Sequence, residues 1–171
     1  MITPRAVSRV NHVGISVADM DRSLTFYRDL LGLEQVLDLD VGNEPDLDAV
    51  VEMTGVEGRV VFLDAGDTRV ELWCYAIPVG EQLPGGHKPA DHGVSHISFD
   101  VPDVDEMHRK LVEASISVTT TPKDLGIHKT FYARGPDGEY LEFVEDRSDR
   151  AMLQRATERS DAHRQMRGAT S

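Results

Sequence analysis

The chain of 171 residues states one pattern twice. HVGISVADMDRSLTFYRDLLGL begins at His12, and HISFDVPDVDEMHRKLVEASI begins at His96, 84 residues later. At that offset His12 falls on His96, Ser16 on Asp100, Val17 on Val101, Asp19 on Asp103 and Asp21 on Asp105. Internal repetition restricts the fold to two copies of one supersecondary unit. Each copy opens with alternating apolar residues, the signature of a half-buried strand. An Asp suited to capping a helix follows in each, Asp19 or Asp103. Leu24, Tyr27, Leu30 and Leu31 then mark one helical stripe, and Met107, Leu111 and Val112 the other. Gly32 is placed to end the first helix.

Both copies continue as strands. The first reads EQVLDLDV, GRVVFLDA, a turn at Gly66–Asp67, and TRVELWCY. The second reads a short strand near Ser117–Thr120, HKTFYAR, a GPDG turn and EYLEFVE. Gly, Asp and Pro between alternating runs are hairpin chemistry. The predicted fold is therefore α+β, with two βαβββ modules at about 7–76 and 92–146. A Pro- and Gly-rich linker spans 77–91, and an acidic insert at about 40–57 has room for a short helix. Residues 147–171 read as a C-terminal helical tail.

Charge removes several classes of function. Asp and Glu number 30 against 18 Lys and Arg, a net of −12. Six Arg and four acids fall in residues 146–171, which leaves the remainder at −14. Such a body lacks the clustered cations that grip nucleic acid or an anionic membrane. Cys74 is alone, so no intrachain disulfide and no CxxC site forms. MITPRAVSRV has no apolar signal region and no run approaches a membrane span. The expectation is a soluble, cytoplasmic protein. No GxSxG, GxGxxG, P-loop or HExxH occurs, so those chemistries have no motif here.

Strand alternation sorts the remaining candidates by face. Val13, Ile15 and Val17 should pack under the first helix, leaving His12, Gly14 and Ser16 opposite. Ile97, Phe99 and Val101 repeat this, leaving His96, Ser98 and Asp100 opposite. In TRVELWCY the helix side takes Val70, Leu72 and Cys74, and the other side takes Arg69, Glu71 and Trp73. In EYLEFVE, Leu141 and Phe143 are inward and Glu142 is opposite. In HKTFYAR, His128, Thr130 and Tyr132 are opposite. Each copy thus offers a His at its first strand and a Glu at its last, on the face away from the helix. If the two sheets curve around a common cleft, His12, Glu71, His96 and Glu142 converge. Two imidazoles and two carboxylates suit one divalent transition metal, whose charge the carboxylates balance. His92 and Glu44 lie in loops and read as exposed; His87, His108 and His163 read as surface residues.

NHVGISVADMDRSLTFYRDLLGLE, VVFLDAGDTRVELW, GVSHISFDVPDVDEMHRKLVEA and GPDGEYLEFVE together resemble the vicinal oxygen chelate superfamily, over about residues 7–146. That superfamily takes in glyoxalase I, methylmalonyl-CoA epimerase, extradiol dioxygenases, and fosfomycin and bleomycin resistance proteins. The resemblance implies an open, barrel-like sheet around one metal: Zn, Ni, Co, Mn or Fe. It carries the ligand positions onto His12, Glu71, His96 and Glu142, and it implies a homodimer. Where the family often has Gly after the second helix, this chain has Ser115, and the Arg-rich tail has no family counterpart.

The resemblance also orders the reactions. A fourth protein ligand at Glu71 would fill a site that extradiol dioxygenases need, and drug-sequestering members generally lack a full ligand set. A fosfomycin-type transferase would need Lys or Arg at the phosphonate; Arg69, Lys129 and Arg134 are present but unplaced. The His/Glu/His/Glu set looks like glyoxalase I, whereas methylmalonyl-CoA epimerase usually has Gln at the position of Glu71. The expected activity is an epimerase or isomerase that removes a proton next to a carbonyl through an enediolate, with a glyoxalase I-like lyase as the alternative and an extradiol-type dioxygenase or a non-catalytic small-molecule (drug) binding protein as further alternatives. Glu142 and Glu71 are the expected acid/base pair. Ser98, Asp100, His128, Thr130, Tyr132 and Trp73 are the expected contacts to a small polar ketone, keto-sugar, cyclitol or acyl-CoA.

Overall fold

The computed structural model of the chain describes residues 6–82 and 88–168. The chain divides into two compact units, Met1–Gly86 and His87–Ser171. In the first, β1 (Val13–Ser16) leads through α1 (Met20–Leu24) to β2 (Glu34–Val41), α2 (Pro45–Val51), β3 (Glu57–Asp64) and β4 (Arg69–Ile77). In the second, β5 (Ile97–Asp100) leads through α3 (Val104–Glu113) to β6 (Lys123–Asp124), β7 (His128–Arg134) and β8 (Tyr140–Asp146), and then α4 (Arg150–Gly168). Each repeat thus folds into the βαβββ unit its sequence predicts. Among the described residues no helix is long and apolar enough to cross a membrane.

The sheets share one topology. Their strand orders are β1-β4-β3-β2 and β5-β8-β7-β6, with the first and last strand of each repeat side by side and parallel. Consecutive strands pair antiparallel through the turns the sequence signalled. Ala65 N donates to Thr68 O across one (3.0 Å), and Gly135 N to Glu139 O across the other (2.9 Å). Both sheets are open; neither closes into a barrel.

Each core lies between a sheet and its helix. Tyr27, Val61, Leu63 and Leu72 are fully buried in the first unit, and Leu111, Ala133 and Leu141 in the second. Both helices start on the predicted caps. Asp19 accepts from Arg22 N (3.0 Å) and Asp103 from Glu106 N (2.9 Å), satisfying amides that a helix leaves unpaired. Arg59 Nε and Nη2 donate to the two oxygens of Asp38 (2.9 and 2.8 Å), joining β3 to β2. That contact holds the Asp38 carboxyl below its ordinary range.

Three details depart from the sequence reading. After Leu24 the first helix widens into a π-helical segment, Thr25–Leu30, where Leu31 N bonds to Phe26 O five residues back (2.9 Å). The wider turn buries Phe26 as well as Tyr27, although 3.6-residue spacing singled out Tyr27 and not Phe26. The strand predicted near Ser117–Thr120 is reduced to one bridge, Val118 to Ala133. Pro122 supplies no amide there, and the paired strand is the two-residue β6 beyond it. His108, read as a surface residue, is half-buried with its ring edge-on to Phe131 at 5.1 Å. His87 lies outside the described residues, as does the side chain of His163.

The acidic insert does contain a short helix, α2. The Asp48 carboxylate accepts from Gly55 N (2.6 Å) and Val56 N (2.9 Å), tying the loop after α2 back to it and seating the buried Val56. Ser115, where the resemblance led us to expect glycine, takes a left-handed backbone with φ of 60°. A Cβ is strained there. Ser115→Gly is expected to raise stability by about 0.5–1 kcal/mol, read as a higher urea midpoint at unchanged slope.

Candidate metal centre

The strand order that closes each repeat also pairs its chemistry. In β1 and β4, Gly14 stands opposite Glu71; in β5 and β8, Ser98 stands opposite Glu142. A His two residues before Gly14 or Ser98 shares their face, which sets His12 over Glu71 and His96 over Glu142. His12 Nε2 is 3.4 Å from Glu71 Oε2, and His96 Nε2 is 3.3 Å from Glu142 Oε2. Both Glu side chains are mostly buried and both His side chains partly exposed, so each pair sits at the mouth of its sheet rather than in the core.

The ring nitrogens are already divided between tasks. His12 Nδ1 donates to Asn11 Oδ1 at 2.9 Å, which leaves the Nε2 lone pair facing Glu71. His96 Nδ1 has Ser95 Oγ at 2.8 Å and the Tyr132 hydroxyl at 3.4 Å. An outer hydrogen bond of this kind fixes a ligating imidazole's tautomer and direction. Aromatic rings brace both. Phe62 meets His12 edge-on at 5.5 Å, and Tyr132 lies tilted to His96 at 5.1 Å. Phe62 and Tyr132 are the strand neighbours of Glu71 and Glu142. Burial, then the charge of the nearby Glu, raises the Tyr132 hydroxyl above its ordinary range, and Tyr75 is raised the same way beside Glu71.

The donor atoms fit a transition metal. Two ligands each about 2.1 Å from one cation, at about 90–109° to each other, stand about 3.0–3.4 Å apart. Both pairs meet that spacing, with the nitrogen and carboxylate oxygen such a metal favours. Each unit brings together two of the four predicted ligands. Among the described residues no group of three or more His, Cys, Asp or Glu side chains is gathered to hold a metal.

The other predicted residues divide. Ser98 and Tyr132 flank Glu142 on either side. Thr130 is 7% exposed, and its Oγ1 lies 2.9 Å from Glu142 Oε1. Trp73 stacks on Tyr75 at 4.7 Å, two residues beyond Glu71. Asp100 is exposed and pairs with Val144, past the His–Glu pair. His128 pairs with Asp146, four residues along β8 from Glu142, about 13 Å at strand rise. Glu44 and His92 are exposed, as read. Lys129 pairs with Asp105 of α3 on the helix side, and Arg134 lies over the Tyr140 ring at 3.4 Å. A shallow depression of about 400 Å³ lined by Met20, Asp40, Arg59 and Cys74 includes neither His12 nor Glu71.

The sequence reading missed Asn11, Ser95 and Phe62. A signal existed for each. Asn11 and Ser95 precede the two His of the repeat, and Phe62 holds the place in VVFL that Tyr132 holds in TFYA.

Residues 9–143 match the sequence profile of the Glyoxalase/Bleomycin resistance protein/Dioxygenase superfamily. The chain belongs to this superfamily. Among its curated relatives is the ethylmalonyl-CoA/methylmalonyl-CoA epimerase of Cereibacter sphaeroides, 32% identical over 66% of this chain and 75% of that protein. An uncharacterised Bacillus subtilis protein, YwbC, is 29% identical over 80% of this chain and 97% of its own length. The mitochondrial methylmalonyl-CoA epimerase of Bos taurus is 28% identical over 71% of this chain and 63% of that protein. Of solved structures, a glyoxalase family protein from Bacillus cereus has a TM-score of 0.75 at 19% identity, over 85% of this chain and 99% of that one. Likeness at that identity concerns the fold, and it is the superfamily fold that the two βαβββ units display.

Proposed function

We propose that His12, Glu71, His96 and Glu142 together hold one divalent transition metal, and that the protein is an epimerase or isomerase acting on a proton next to a carbonyl. The observation that carries this reading is the matched spacing of the two His–Glu pairs, 3.4 and 3.3 Å. Two protein ligands are too few for a stable transition-metal site, which ordinarily uses three or four, and this supports taking the four residues as one set. The superfamily epimerases that the sequence resembles support the reaction, and their names support an acyl-CoA thioester as substrate class. Zn²⁺, Ni²⁺, Co²⁺, Mn²⁺ and Fe²⁺ all suit the donors.

When bound, the metal supplies Lewis-acid stabilisation of the negative charge that develops on the substrate oxygen. The chain's own residues do the rest. One carboxylate of the Glu71/Glu142 pair takes the proton next to the carbonyl, and the other returns it to the opposite face, which inverts the carbon. Positioned base catalysis of this kind is worth about 10²–10⁴-fold. Asn11 and Ser95 hold the two imidazoles in register. Ser98 and the Tyr132 hydroxyl offer polar contacts beside Glu142, and Trp73 an apolar one near Glu71.

Gly14 belongs to this machinery by what it lacks. A Cβ there would stand 3.2 Å from Glu71 Oε2. Gly14→Ala is expected to fold normally yet to bind cobalt about tenfold more weakly, since a displaced ligand loses about what a lost outer-shell partner does; calorimetric titration reads this.

The reaction is tested by incubating the metal-loaded protein with methylmalonyl-CoA and with α-hydroxy ketones in D₂O. Deuterium entering next to the carbonyl of any of them supports the reading. No exchange with any substrate, together with turnover of methylglyoxal and glutathione, would replace it with a lyase.

A further inference from the structure

The two His–Glu pairs are alike in spacing but differ in what stands behind the carboxylate. In the second unit, Thr130 Oγ1 lies 2.9 Å from Glu142 Oε1 and 2.9 Å from the Phe143 carbonyl oxygen. Both partners are acceptors, so one buried hydroxyl proton serves them, and the charged carboxylate is the stronger claimant. In the first unit the register partner of Trp73 on β3 is Val60, whereas the register partner of Val144 on β7 is Thr130. Val60 is likewise buried but has no hydroxyl. No hydrogen bond reaches the Glu71 carboxylate among the described residues; its strand neighbours are Gly14 and Phe62, which carry no hydroxyl.

We infer that Thr130 is a positioning residue for Glu142: its hydroxyl holds Oε1 and so aims Oε2 at the atom that His96 Nε2 also faces. The inference rests on the metal reading above. A carboxylate with one oxygen tied has lost its rotation about the last side-chain bond before any cation arrives, which lowers the entropy given up on binding. Glu142 is thereby the anchored carboxylate of the two. Glu71, between Gly14 and Phe62, has no strand neighbour with a hydroxyl to tie it. Thr130 does not touch substrate in this arrangement; it acts through Glu142.

The test is cobalt binding, followed by the visible absorption of bound Co²⁺ and by titration calorimetry, in the full chain. Thr130→Val keeps the shape and removes the hydroxyl; Thr130→Ser keeps the hydroxyl. Thr130→Val is expected to weaken Co²⁺ binding about 10–100-fold, as loss of an outer-shell partner does, and to change the absorption band. Thr130→Ser is expected to bind within about threefold of wild type, because it keeps the donor to a charged acceptor. The metal-free thermal midpoint of each variant separates positioning from folding. Should Thr130→Val fail to fold, Thr130→Cys, of similar size with a much weaker donor, takes its place with the same expected loss. Wild-type affinity and spectrum in Thr130→Val, while His96→Ala abolishes binding, would overturn the positioning role and leave the metal reading standing. A wild-type protein that binds no Co²⁺ would overturn both.

Discussion

Alanine at His12, and separately at His96, is expected to lower cobalt affinity by at least about 100-fold, more than the 10–100-fold that loss of an outer-shell partner brings. The expectation follows from how each imidazole is held. Nδ1 is engaged by Asn11 in one and by Ser95 in the other, which leaves Nε2 as the atom facing the carboxylate. Truncation removes that atom, and no neighbouring side chain replaces it. Both His side chains are 30–40% exposed, so their loss leaves little cavity and thermal midpoints should stay near wild type. Equal losses from the two substitutions are the informative result, because the two residues belong to different units of the chain. Titration calorimetry on the two variants gives both numbers. A variant that loses affinity and stability together would point to a structural role instead.

Glutamine at Glu71 or at Glu142, measured at saturating metal, is expected to slow deuterium exchange next to the carbonyl by about 10²–10⁴-fold, the worth of a positioned base. Glutamine keeps the size and a ligating oxygen but cannot accept the proton, so the loss should fall on the rate at saturating substrate more than on KM. Glu142→Gln should also weaken metal binding more than Glu71→Gln does, because Thr130 has pre-set the one carboxylate and not the other. Mass spectrometry of the recovered substrate measures exchange directly. If Glu142→Gln and Glu71→Gln both exchange at the wild-type rate, neither carboxylate is the base.

Much of this was legible in the residues because strand parity is strict. A period of two places His12 and Glu71 on one face once the first and last strands of a repeat are neighbours, and the repeat itself duplicates the inference for His96 and Glu142. The caps at Asp19 and Asp103 and the two hairpin turns are local chemistry, and the structure keeps all four. What parity leaves open is reach. It put Thr130 on the face of Glu142, yet whether a hydroxyl there meets substrate or a neighbouring carboxylate depends on the diagonal between β7 and β8. His128 shares that parity too, but register carries it four residues along the strand from Glu142. The π-helical turn that buries Phe26 beside Tyr27 departs from the 3.6-residue period on which helical spacing rests. Near Ser117–Thr120, Thr119 N donates to Tyr132 O and Arg134 N of β7 donates to Ser117 O, but Pro122 supplies no amide to extend the ladder and no regular strand forms.

We propose that the two His–Glu pairs make one metal site. Titrating the metal-free wild-type chain with Co²⁺, and following its absorption to the equivalence point, tests it most directly. A single break at one metal per chain is expected. A break at two per chain, each His–Glu pair filling by itself, or no break at all, would contradict it.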